Sequence, residues 1–91
     1  MATSSALSTR DVLTTIVRVV SPYLGETMAR SAAQAHCQKL GIAEAERMPT
    51  TQIDALINRM AAGLNVFVGR EKSSAIVAEL RRAIEGQGAV P

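Results

Sequence analysis

The chain has 91 residues, 47% of them hydrophobic, with no Trp, one Tyr, one Phe and one Cys. That is enough for one domain with a modest core of Leu, Ile, Val, Met and Ala, a composition that favours packed helices over a sheet sandwich. A net charge of +2 does not demand a nucleic-acid partner, a lone Cys37 excludes an internal disulfide, and no apolar run is long enough to span a membrane.

Residues 1–8 are small, polar and without periodicity, so they read as a disordered lead-in. They also lack the basic start and apolar centre of a secretory signal, which makes cytoplasmic residence the expectation. Ser8 with Asp11 three positions on forms a capping signature for a first helix from Thr9 to Val20. Its apolar residues Val12, Leu13, Ile16, Val17, Val19 and Val20 follow helical spacing, although the run of β-branched residues from Thr14 to Val20 has strand propensity. Pro22 disfavours helical geometry at Ser21 and is expected to close the element.

Gly25 opens a second helix reaching Leu40, with Met28, Ala29, Ala32, Ala33, His36 and Leu40 on one face and a Glu26–Arg30 pair on the other. Gly41 then fits a left-handed C-cap, with Ile42 as its apolar contact. A charged linker follows to Pro49. Thr51 with Asp54 repeats the capping signature before a third helix carrying Ile53, Leu56, Ile57, Met60 and Leu64. That helix is predicted to break near Gly63, leaving Leu64 to Val68 as an extended connector. Gly69 opens a fourth helix with Ser73, Ile76, Val77, Leu80, Ala83 and Ile84 inward, and residues 86–91 are expected to fray.

Sliding the chain by the 44 residues that separate Gly25 from Gly69 aligns residue classes at most inward positions. Val12 falls on Leu56, Ile16 on Met60, Ala33 on Val77 and Leu40 on Ile84. The predicted fold is therefore all-α: four short helices in a domain over 9–85, arranged as two pseudo-repeated helix-turn-helix units around one core. The repeat halves cover about 11–41 and 55–85. The segment Pro22-Tyr23-Leu24-Gly25-Glu26-Thr27-Met28-Ala29 resembles, over about twelve residues per half, the helix-hairpin-helix element of DNA repair and replication proteins. Gly25 and Ala29 match that family's second glycine and following alanine, and Gly69 and Ser73 match them loosely. Tyr23 and Phe67 stand where the family has its first glycine. The resemblance implies backbone contacts from the glycine turns to nucleic-acid phosphates.

Chemistry is sparse. His36 is the only histidine, so a His-pair metal site and most triads are excluded; its repeat position opposite Leu80 predicts a core or boundary ring with a satisfied nitrogen, the alternative being a phosphoacceptor or pH-sensing histidine. No two carboxylates are forced into one apolar site for acid–base work. No catalytic residue, metal ligand or cofactor site is expected. The first functional expectation is a non-catalytic protein–protein interaction or oligomerisation module, a homodimer with a further protein partner, using Val12 and Val19 at the edge of the first helix's stripe and Phe67 as anchor. The alternative is a nucleic-acid-binding or anion-binding module using Arg30, Gly69, Arg70, Lys72 and Ser73 at the glycine turns.

Overall fold

The structure, a computed structural model, describes residues 6–42 and 44–88. The chain runs β1 (Ala6–Ser8), α1 (Thr9–Leu24), α2 (Glu26–Leu40), β2 (Arg47–Pro49), α3 (Thr50–Val68) and α4 (Arg70–Gly88). It is all-α in class. Each helix packs on two others, α1 on α2 and α4, and α3 on α2 and α4, while α1 and α3 touch only lightly.

The two strands were not expected. β1 and β2 pair antiparallel, with Leu7 opposite Met48, and so tie the start of α1 to the start of α3. Residues 6–8 of the expected lead-in and 47–49 of the expected linker are thus ordered by partners forty residues away. Met48 is fully buried under the pair and Leu7 packs half-buried against the core. Residues 1–5 and 89–91, the remainder of the expected disordered ends, lie outside the described residues.

Helix starts follow local chemistry unevenly. The Ser8 hydroxyl accepts from the Asp11 amide at 3.4 Å, as the capping signature predicts. At α3 the cap position is Pro49, with no side-chain cap, and Thr50 rather than Thr51 begins the helical run. Asp54 instead pairs with Arg81 of α4 at 2.9 Å.

Two helices run further than their breakers suggest. α1 continues through Pro22 to Leu24 rather than ending at Val20. Proline there removes the amide that would bond the Arg18 carbonyl, but Pro22 and Arg18 are on the exposed side, where water can take that carbonyl. The Ser21 hydroxyl meanwhile donates to the Val17 carbonyl. α3 continues through Gly63 to Val68 because Leu64 is buried one turn beyond Met60, and that burial offsets the roughly 1 kcal/mol a helical glycine costs. Gly86 likewise lies inside α4 and does not end it.

The junctions α1–α2 and α3–α4 are each a single glycine. Gly25 has φ 88° and ψ 150°, and Gly69 has φ 88° and ψ 166°. Each donates back to the fourth residue before it, Ser21 or Asn65, and accepts from the fourth after it, Ala29 or Ser73. Gly41 closes α2 in the left-handed cap expected, its amide on the Gln38 carbonyl and the Ile42 amide on the Cys37 carbonyl, with Ile42 buried.

The core takes Val12, Ile16, Val19 and Val20 from α1, Ala29, Ala33 and Cys37 from α2, and five apolar residues from α3. Ile76, Leu80 and Ile84 come from α4. In α2 the small residues at 29, 33 and 37 form the buried row, and Met28, expected inward, is exposed.

Candidate interaction surfaces

Two of the three residues expected at a partner interface lie inside the chain. Val12 is fully buried and Val19 nearly so. The expectation that alanines on α2 leave α1 uncovered fails because α1 has a second neighbour: α4 brings the bulk of Ile76, Leu80 and Ile84. Phe67 alone is where a partner could reach it, at 56% exposure, beside Val66 at 86%.

The position of Phe67 has a geometric cause. It lies three residues after Leu64 and seven after Met60, both buried, so it continues the core-facing stripe of α3. Tyr23 stands in the same relation to Val20 and Ile16 on α1, and is 42% exposed. Each aromatic sits on the correct side of its helix but in the last turn, immediately before the glycine junction, where the core is running out. Periodicity could identify the stripe but not the point at which its cover ends, so Tyr23 and Val66 went unmarked as surface residues.

The residues of the anion-binding alternative are scattered in character. Arg30 is engaged by Glu26 at 2.6 Å on the exposed face of α2. Ser73 is buried, and its hydroxyl donates to the Ala61 carbonyl at 3.2 Å, bracing α4 on α3. Gly69, Arg70 and Lys72 are exposed. The hairpin implied by the helix-hairpin-helix resemblance is replaced by helix: Pro22, Tyr23 and Leu24 are the last turn of α1.

His36 is half-buried, a boundary position, but its Nδ1 is buried without a hydrogen-bond partner among the described residues, where a satisfied nitrogen was expected. Burial, with the Arg59 and Lys39 charges nearby, holds its pKa below the ordinary value, so the neutral ring is favoured. Cys37 is buried, and desolvation pushes its thiol pKa up, away from nucleophilic character. Among the described residues no three His, Cys, Asp or Glu side chains gather as a metal site, and no helix is long and apolar enough to cross a membrane. Comparison with family models, curated proteins and solved structures found no match to this chain.

Proposed function

We propose that the chain is a small, non-catalytic helical module that associates with a second copy of itself through the C-terminal end of α3. The observation that supports this is Phe67 with Val66: a large aromatic and an aliphatic adjacent in the chain, and the two most exposed of the large apolar residues described. An aromatic offers 150–250 Å² of contact area and so is a natural anchor. Tyr23 and Met28, exposed near the other junction, add to the apolar surface.

Four such side chains fall short of the roughly 800 Å² per partner of a standard interface, so the association is expected to be weak. Light scattering should give a mass rising from one chain of 9.6 kDa toward two as concentration increases through the micromolar range. Phe67→Ser should hold the mass at one chain with an unchanged helical spectrum. One chain mass at every concentration for the unsubstituted protein would overturn self-association. Nucleic-acid binding is checked on the same samples with a labelled duplex near 50 mM salt, where phosphate contacts are strongest.

A further inference from the structure

A groove of about 1440 Å³ runs along the outer side of α1, between it and α2. One bank is the row Arg10, Thr14 and Arg18, spaced i, i+4 and i+8 on α1 and exposed throughout. The other bank is the row Glu26, Arg30 and Gln34 on α2, spaced alike. Between them Leu13 and Val17 stand half-buried, with Ala33 behind, as an apolar floor.

The two banks differ in charge. On α2, Arg30 is neutralised by Glu26 at 2.6 Å. On α1, neither Arg10 nor Arg18 forms an ion pair with any described residue; with Asp11 also in the lining, that bank carries a surplus of one positive charge. The two arginines are eight residues apart on one face, or about 12 Å at about 1.5 Å per residue. At its Thr9 end the lining adds Glu46 and Arg47, so the groove as a whole holds four arginines against three acids.

We propose that this groove binds an amphipathic acidic helix of a partner protein. Its apolar seam lies on Leu13 and Val17, and carboxylates on one flank, seven or eight residues apart, meet Arg10 and Arg18. A helix laid alongside α1 repeats the same rise per residue, so a pair of its acids matches the arginine spacing without distortion. From Arg10 to Pro22 the groove is about 18 Å long, the length of three helical turns. An apolar floor between two helices is the seat of helix-in-groove recognition. A nucleic acid is the poorer fit, because one bank is neutral and the lining holds no aromatic side chain for a base to stack on. The site is separate from the Phe67 surface, and it does not depend on self-association.

The test uses the full chain with its Leu and Val methyls observed by NMR. The probe is a sixteen-residue helical peptide designed with Leu at the seam positions and Glu along one flank, about four turns long. Its counterpart carries Lys in place of each Glu, and a DNA duplex serves as a third probe. The acidic peptide should shift the Leu13 and Val17 methyls, and added salt should weaken it. Arg10→Glu with Arg18→Glu should weaken it at least about tenfold, as charge reversal across a contact does. Both arginines are exposed, so the helical spectrum and melting temperature of the double variant should stay near those of the unsubstituted chain. Silent Leu13 and Val17 methyls with the acidic peptide, equal binding of the Lys peptide, or tighter binding of the duplex at these residues would each overturn the proposal. Phe67→Ser should leave the peptide affinity unchanged, which separates this result from the outcome on self-association.

Discussion

A glycine costs a helix about 1 kcal/mol unless its backbone goes where other residues cannot, and this chain contains both kinds. Gly25 and Gly69, at φ 88° with ψ 150° and 166°, occupy a region that is essentially glycine's own, and a Cβ at either would meet nothing within 4 Å. The cost of Gly25→Ala or Gly69→Ala is therefore backbone strain alone, about 1–3 kcal/mol in a urea melt. Gly63 is the converse. It is helical, has ordinary φ, and also has open space at its Cβ, so Gly63→Ala should stabilise by about 0.5–1 kcal/mol. The two results together separate the junction glycines from the incidental one. At this scale the sequence is readable where the signal is local: the Ser8 cap, the Gly41 cap with Ile42, and the need for glycine at 25 and 69. It misleads at Pro22, whose lost hydrogen bond falls on the solvent side of α1, and at Gly63, whose local cost is offset by the burial of Leu64 one turn beyond Met60.

Among the elements, the helices announce themselves by spacing and the strands do not. Ile53, Leu56, Ile57, Met60 and Leu64 form the buried face of α3 in the pattern their spacing predicts, and α4 follows with Ile76, Leu80 and Ile84. Ala6–Ser8 and Arg47–Pro49 are too short to show alternation, and their order comes from pairing with each other. Met48 is where that pair enters the core, so Met48→Ala should destabilise by about 2–4 kcal/mol, measured by urea denaturation. The α2–α3 seam carries a different sensitivity. His36 has a folded pKa below its ordinary 6.5, lowered by burial and then by Arg59 and Lys39, so the unfolded chain takes up the proton first. Stability is full above the ordinary value and falls as pH drops from there through the lower folded value. His36→Gln should flatten that part of the stability–pH curve, and an unchanged slope in the variant would assign it to other groups.

Across the whole molecule, the halves on either side of the α2–β2 connection are joined chiefly by three contacts. α1 packs on α4, α2 packs on α3, and β1 pairs with β2. None of these contacts is visible in a half alone, which is why Val12 and Val19, expected at a partner interface, are instead buried: α1 is covered by α4 as well as by α2. The arginine groove was hidden for the related reason that Arg10, Thr14 and Arg18 gain meaning only once α2 forms the opposite bank. The same cross-packing decides how the chain unfolds. Each half has about 45 residues, near the size below which a core rarely sustains itself, and each would expose the faces that the other half buries. Unfolding should therefore be one cooperative transition, with circular dichroism and a probe in either half, such as Tyr23 fluorescence or the Met48 methyl, reporting the same midpoint in urea. Fragments 1–44 and 45–91 should each be largely unstructured alone and gain helix on mixing. A two-step melt, or a stable helical fragment 45–91, would instead make the second half an autonomous unit on which the first is assembled.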